Sequence, residues 1–293
     1  MSHQIIYPVF GHNLQVVGGW PRLSNQMFQY AVAQLMAFKN NSKVFLQLDR
    51  LNTVIPGTTN NMFVFQKYFK NVVIETSEPG NHPFYLLAEE KQFEVVKQIM
   101  TTNLQYSVVL QGYFQNSEYF KGYEEYVKNL FEFNDDIDYK SLKYLKTIRE
   151  KYSNKQIVSV HLRRPDIKND ATFIYTTYSN EHITSLLNKF SIENTVFLLF
   201  SSDKEDCLEK FSDSLSKVNH EWVDFDESVS LCIMSNCDHN IIGASTFGWW
   251  AAYLNKNKNK RVIIPYPWFN PTSNQRDNYV KGLYVDGWET FVL

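Results

Sequence analysis

The stretch IVSVHLRRPD, residues 157–166, is mostly apolar up to Leu162 and continues with two arginines. A short apolar run of this kind is typical of a buried strand in a parallel sheet. Further apolar runs and intervening helical patterns follow, in chain order Asn180–Phe190, Val196–Phe200, Val229–Asn236, Asn240–Ile242 and Val262–Ile264. Strands that alternate with helices predict an α/β fold built on a parallel sheet.

The first half of the chain shows the same alternation. Leu14–Val17 predicts a strand, and apolar residues at helical spacing then predict a helix that runs to Phe38, with Ser24 as its N-cap. Three more strands are predicted at Val44–Leu48, Val72–Ile74 and Ser107–Leu110, before a mixed-charge helical stretch from 115 to 153. We place a domain boundary after residue 153, so that residues 1–153 and 154–293 form two α/β domains.

The composition excludes several classes of protein. Trp, Tyr and Phe make up 16% of the 293 residues, which is too large an apolar content for a disordered chain. The 29 Lys and Arg nearly balance the 31 Asp and Glu, which argues against binding of nucleic acid through bulk charge. Neither a secretory signal nor an apolar run of membrane-spanning length is present, and we expect a cytoplasmic protein.

Three cysteines, Cys207, Cys232 and Cys237, are too few for a disulfide framework. No histidine pair accompanies them at zinc-binding spacing, so we expect reduced thiols and no metal site.

Arg163 and Arg164 follow a predicted strand, and open parallel sheets bind their ligands where strands end. Guanidinium groups match phosphate oxygens in a bidentate way, which favours a diphosphate as ligand. His161 could bond a ribose or a base edge. The alternative is a structural ion pair of either arginine with Asp166.

Two further polar segments follow strands. Asp203, at the end of Ser201–Asp203, could accept hydrogen bonds from a nucleoside, or it could simply cap a helix. Ser245 and Thr246 open a helix whose N-terminus favours an anion, with helix capping again the alternative. Trp249 and Trp250 in that helix are predicted to be core residues. A fourth segment, 22–26, brings Arg22 and two amides between a strand and a helix of the first domain.

Together these segments resemble the α-1,2-fucosyltransferases of glycosyltransferase family 11. The family's Asn-Gln-Met-Phe-Gln-Tyr-Ala sequence stands unchanged at Asn25–Ala31. Its His-x-Arg-Arg-Gly-Asp motif is matched at His161–Asp166, with Pro165 in place of the glycine. A third motif is matched from His239 to Asn255, and the last strand and its Pro-x-x-Trp-Phe sequence from Arg261 to Phe269.

The resemblance implies a GT-B-like fold with two Rossmann-like domains facing across a cleft, residues 1–153 on the acceptor side and 154–293 binding the donor. It implies a galactoside 2-α-L-fucosyltransferase that moves L-fucose from GDP-fucose to the 2-hydroxyl of a terminal galactose, with inversion and without a metal ion or other cofactor. It assigns Arg163 to the β-phosphate. The other donor-binding residues that it implies are Arg22, Asn25, Gln26, His161, Arg164, Asp203, Ser245, Thr246 and Phe247.

Two matters stay open in the sequence. The general base is not identifiable, and Asp166 is our candidate for it. Pro165 and Ser24 depart from the family pattern, which keeps open another acceptor or linkage with the same donor, as well as a protein that binds a glycan or nucleotide sugar without turnover.

Arg163→Ala should lower the rate of transfer by about 10²–10³-fold, because one preorganised group that stabilises the leaving phosphate is lost. The turnover of GDP-fucose is the measurement, with circular dichroism to show that the variant is folded. More than about a tenth of the wild-type turnover would contradict the role of Arg163.

Overall fold

In a computed structural model of the protein, the described residues are 5–9, 23–44, 65–73, 85–89, 93–102, 107–163, 174–271 and 281–293. The chain divides into two compact units, residues 1–132 and 133–293. No helix in these ranges is long and apolar enough to cross a membrane.

The first unit contains a parallel sheet flanked by helices. Its described elements are β1 (Ile5–Val9), α1 (Leu23–Lys39), β2 (Lys43–Val44), α2 (Phe65–Tyr68), β3 (Tyr85–Glu89), α3 (Phe93–Thr101), β4 (Ser107–Gln111) and α4 (Glu124–Leu130). The strand order is β2-β1-β4-β3, and every pairing is parallel. The predicted strand at Ser107–Leu110 is confirmed as β4, whereas β1 and β3 were not predicted.

Helix α1 begins at Leu23, so Ser24 lies inside the helix and the prediction of Ser24 as its N-cap is wrong by two residues. The predicted strand Val72–Ile74 is also wrong for its described residues, Val72 and Val73, which lie outside any strand. The hydroxyl of Tyr30 accepts from the Val73 N–H at 3.0 Å and donates to the Val73 carbonyl at 3.2 Å. One buried side chain therefore satisfies the backbone groups that a neighbouring strand would otherwise pair.

Two other predicted elements fall outside the described residues: the strand Leu14–Val17, and residues 45–48 of the strand Val44–Leu48. The helical stretch predicted from 115 to 153 is confirmed in two pieces, as α4 and a longer helix of the second unit.

The second unit is a parallel sheet with helices between its strands. Its elements are α5 (Asp135–Lys151), β5 (Gln156–His161), α6 (Asn180–Leu187), β6 (Thr195–Phe200), α7 (Lys204–Leu215), β7 (Asn219–Trp222), α8 (Glu227–Ser235), β8 (His239–Ile241), α9 (Thr246–Leu254), β9 (Val262–Tyr266) and β10 (Glu289–Val292). The strand order is β10-β9-β8-β5-β6-β7, again all parallel. The four strands predicted here are confirmed within two residues at each end.

Helix α5 lies on the C-terminal side of the division between the two units, although we placed the boundary after it, at residue 153. It packs on α8, and Arg149 forms a two-pronged ion pair with Asp238 at 3.0 and 3.3 Å. Asp238 also accepts from the Ile157 N–H at 2.7 Å, which ties the helix to the first residues of β5. The sequence of α5 is rich in charges of both signs, and this pattern did not indicate the side of the helix that packs on the rest of the second unit.

The last strand is fastened to the sheet by a pair of cations. The carboxylate of Glu289 in β10 accepts from Arg261 at 3.0 Å and from Lys189. Backbone pairing with β9 continues past the strand, because the Leu293 N–H donates to the Tyr266 carbonyl at 2.9 Å. The C-terminal residues therefore complete one edge of the sheet.

Two buried asparagines, Asn240 and Asn255, form hydrogen bonds that join elements at the centre of the sheet. Asn240 in β8 is wholly buried and donates to Ser159 Oγ of β5 at 2.7 Å and to the Met234 carbonyl at 2.9 Å. Its own Oδ1 accepts from Asn255 at 2.9 Å, just after α9. Asn255 also donates to the Cys237 carbonyl at 2.8 Å. One amide network thus joins β5, β8 and the ends of α8 and α9.

Asn240→Ala should lower the free energy of unfolding by about 3 kcal/mol, since it leaves several buried polar groups without a partner. Urea denaturation gives the value. Asn259→Ala, at an exposed position, is the control and should change it by less than about 0.5 kcal/mol. Equal losses in the two variants would contradict a central role for the network.

Candidate functional site

The polar segments predicted in the second domain follow adjacent strands of one sheet. β5 pairs with β6 and with β8, so that His161 lies opposite Phe200 and Val160 opposite Ile241. Parallel strands place their carboxyl ends at one edge, so residues 161–163, 201–203 and 242–247 gather there.

Gly243 brings the loop before α9 into close contact with the end of β5. A Cβ at Gly243 would lie 2.9 Å from Arg163 Cβ, 3.0 Å from the His161 carbonyl oxygen and 3.1 Å from the Arg163 backbone nitrogen. These distances leave no room for a side chain. The absence of a Cβ therefore sets the spacing between Arg163, which is half-buried, and the N-terminus of α9.

The His161 imidazole is packed into the first turn of α9. A Cβ at Gly248 would lie 3.0 Å from its Nδ1, and the Phe247 ring lies 5.8 Å from it between centroids. Among the described residues, Nδ1 has no hydrogen-bond partner. Burial, with a further contribution from the Arg163 charge, lowers the pKa of His161 to about 3. The ring is therefore neutral at physiological pH and suits hydrogen bonding better than proton abstraction.

The N-terminus of α9 has the features expected of an anion site. Ser245 is the N-cap, and its Oγ accepts from the Phe247 N–H at 3.3 Å. The capping alternative is thus confirmed for Ser245, while Ser245, Thr246 and Phe247 all remain half-buried. The dipole of a helix attracts an anion to its N-terminus. The prediction that Trp249 and Trp250 are core residues is confirmed, since both are wholly buried.

Asp203 caps helix α7, which is the alternative that its position after a strand left open. Its Oδ1 accepts from the Asp206 N–H at 3.0 Å, and its own N–H donates to Ser201 Oγ at 3.1 Å. The half-buried carboxylate lies after β6, beside the strand that carries His161. Its contact with the nucleoside of the donor stays a prediction.

In the first unit, the predicted amide of Asn25 contacts the loop after β4, and so does the amide of Gln29, which was not predicted as a site residue. Asn25 Oδ1 accepts from Gln115 at 3.0 Å, and Gln29 donates to the Gly112 carbonyl at 2.7 Å. Gln26 is buried in the same turn of α1. Three predicted site residues, Arg22, Arg164 and Asp166, lie outside the described residues. The alternative of an ion pair with Asp166 therefore stays open.

Sequence reasoning missed a segment that borders the site. Residues 174–176 pair with 268–270, and the buried hydroxyl of Tyr178 donates to the Ile242 carbonyl at 2.7 Å. Because the pairing joins residues far apart in the chain, no local pattern indicates it.

The three cysteines are buried and form no disulfide with one another, and burial raises the pKa of Cys232 and of Cys237. In the part of the chain that the structure describes, no three His, Cys, Asp or Glu side chains are grouped to hold a metal ion. The described site instead offers Arg163 and the α9 N-terminus, an arrangement that can bind a diphosphate.

Comparison with known proteins identifies the family. The sequence model described as Glycosyl transferase family 11 matches residues 15–288, and the chain belongs to this family. An α-1,2-colitosyltransferase of Escherichia coli is 29% identical over 275 residues, covering 84% of this chain and 89% of the relative. Galactoside α-(1,2)-fucosyltransferase 2 of Pongo pygmaeus is 22% identical over 253 residues, covering 80% and 66% respectively.

Solved fucosyltransferase structures share the fold. POFUT1 in complex with GDP superposes with a TM-score of 0.53 at 13% identity, covering 89% of this chain and 98% of that one. The fucosyltransferase NodZ from Bradyrhizobium gives 0.51 at 11% identity, covering 86% and 93%. The predicted α/β, GT-B-like fold class is confirmed.

Gly243→Ala should weaken the binding of GDP by tenfold or more, on the order of 1.4 kcal/mol, because the added Cβ separates Arg163 from the α9 N-terminus. Isothermal titration calorimetry measures the dissociation constant. Gly122→Ala is the control: its φ of 79° strains an alanine, but a Cβ there meets nothing within 4 Å. Similar affinity in both variants would contradict the role of Gly243.

Proposed function

We propose that this protein is an inverting transferase that moves L-fucose from GDP-fucose to the 2-hydroxyl of a terminal galactose in a glycan. The observation that supports it best is the close approach of Gly243 to Arg163, which sets an arginine beside a helix N-terminus. The family, and relatives named for α-1,2 transfer, support the linkage. POFUT1 in complex with GDP and NodZ soaked with GDP-fucose share the fold, and these ligands are consistent with this donor.

Cleavage of the fucosyl–phosphate bond leaves negative charge on the β-phosphate of GDP and positive character on the sugar. In the proposed reaction Arg163 and the N–H groups at the start of α9 stabilise that phosphate. A pair of this kind takes the place of a divalent cation, so the proposal includes no metal ion.

His161 and the acceptor base have separate roles in this proposal. With a pKa of about 3, the His161 imidazole is uncharged and orients the donor through hydrogen bonds. Deprotonation of the acceptor hydroxyl falls to another group, for which Asp166 is our candidate. A dissociative transition state needs only a weak base there.

A second donor deserves testing because of one relative. The Escherichia coli relative is named for transfer of colitose, which is fucose without its 3-hydroxyl. GDP-colitose is therefore the alternative donor for the same site.

The purified protein should transfer fucose from GDP-fucose to disaccharides that end in galactose, in the presence of EDTA. Mass spectrometry and linkage analysis identify the product, and GDP-colitose is supplied in a parallel reaction. An α-1,2-fucosyl product supports the proposal. A product that carries only colitose would show that GDP-colitose is the donor in place of GDP-fucose. An absolute requirement for Mn²⁺ would contradict the metal-independent mechanism.

Failure with every acceptor, without hydrolysis of the donor and without binding of GDP, would refute the proposal as a whole. Arg163→Ala in the same assay is the matched control, because it removes the expected phosphate ligand.

A further inference from the structure

Two chain segments at the carboxyl edge of the second sheet form a short strip that the proposed donor contacts do not use. Tyr175 and Phe269 form an antiparallel bridge. The Thr176 N–H donates to the Trp268 carbonyl at 3.2 Å, and the Asn270 N–H donates to the Ile174 carbonyl at 2.7 Å. The Thr176 hydroxyl adds a bond to the Pro267 carbonyl at 2.8 Å. These bonds fix the backbone of both segments.

The strip lies beside the loop that presents Gly243. Phe269 follows the end of β9, the neighbour of β8, by three residues. On the other segment, the Tyr178 hydroxyl is bonded to the carbonyl of Ile242, the residue before Gly243. The strip is therefore anchored at the same edge as Arg163 and the α9 N-terminus.

The two rings of the strip form a half-buried aromatic pair. The centroids of Tyr175 and Phe269 are 5.4 Å apart, and the ring planes are tilted by 39°. Below them Trp268 is fully buried and anchors the segment in the core. Among the described residues, no hydrogen bond reaches the Tyr175 hydroxyl.

Arg163 is close enough to Tyr175 to affect its ionisation. Burial raises the pKa of the Tyr175 phenol, and the Arg163 charge acts in the opposite direction. The phenol thus stays protonated at physiological pH, within the electrostatic influence of the guanidinium assigned to the phosphate.

A 6-deoxyhexose presents C–H groups and a methyl group on one side, and such surfaces gain free energy by packing on aromatic rings. The sugar of a nucleotide sugar is joined directly to the β-phosphate, so it lies next to whatever holds that phosphate. We propose that Tyr175 and Phe269 form the wall on which the hexose of the donor packs. This inference rests on the proposed function and deepens it.

The test compares the binding of GDP with that of GDP-fucose, because only the second carries the hexose. Tyr175→Leu and Phe269→Leu remove one ring each, whereas Tyr175→Phe keeps the ring and removes the hydroxyl. Thr176→Ala is the matched control, since it removes a bond within the same strip and leaves both rings. Calorimetry gives each dissociation constant, and thermal melting shows which variants fold.

Each leucine variant should weaken GDP-fucose by about tenfold and GDP by less than about twofold. Tyr175→Phe and Thr176→Ala should keep the wild-type ratio of the two affinities. If one leucine variant fails to melt cooperatively, the other decides the outcome.

Three results would overturn the inference: equal weakening of GDP and GDP-fucose by the leucine variants, wild-type affinity in both, or the same selective loss in Thr176→Ala. In each of these cases the wild-type protein still binds GDP-fucose, so the proposed function is not contradicted. A wild-type protein that binds neither ligand refutes the proposed function, and this inference with it.

Discussion

The parallel pairing of β5 with β8 is the interaction on which the second unit depends. The buried Asn240 amide of β8 donates to Ser159 of β5 and to the Met234 carbonyl at the end of α8. Its oxygen accepts from Asn255, just after α9. A buried amide with its partners satisfied is directional, whereas apolar packing is not, so it selects one register. That register sets Gly243 opposite the end of β5 and thereby aligns Arg163 with α9.

The near-zero net charge of the chain takes on a different meaning beside this geometry. A few groups at one edge of a sheet provide local affinity for an anion, while the surface as a whole stays balanced. Burial of His161 as a neutral ring belongs to the same arrangement, since a second positive charge beside Arg163 would cost free energy in a buried position.

Elements with a strong local pattern could be predicted from the sequence, and the others depend on distant contacts. The strands β5 and β6 are buried and mostly apolar, and both were recognised. β7 (Asn219–Trp222) was missed because its residues are half-buried and mostly polar, as suits an edge strand. Val73 belongs to a run predicted as a strand, but its backbone N–H donates to the hydroxyl of Tyr30 and not to a neighbouring strand.

The same distinction applies to the candidate site. Arg163 and Ser245 could be found because each lies shortly after the end of a strand, and ligands of open parallel sheets bind where strands end. The cap formed by Asp203 was foreseeable only as one of two alternatives. Tyr175 could not be found, because its partner Phe269 is brought to it by the fold and not by the sequence.

The pairing of β10 with β9 has a consequence for synthesis of the protein. During translation β9 leaves the ribosome before its edge partner, so its outer N–H and C=O groups wait unpaired until Glu289–Val292 are made. The ion pairs of Glu289 with Arg261 and Lys189 can form only after Glu289 has been made. A chain that stops before Glu289 would present the largely buried, apolar β9 as its edge strand, in place of the more exposed β10, and such an edge is a template for aggregation.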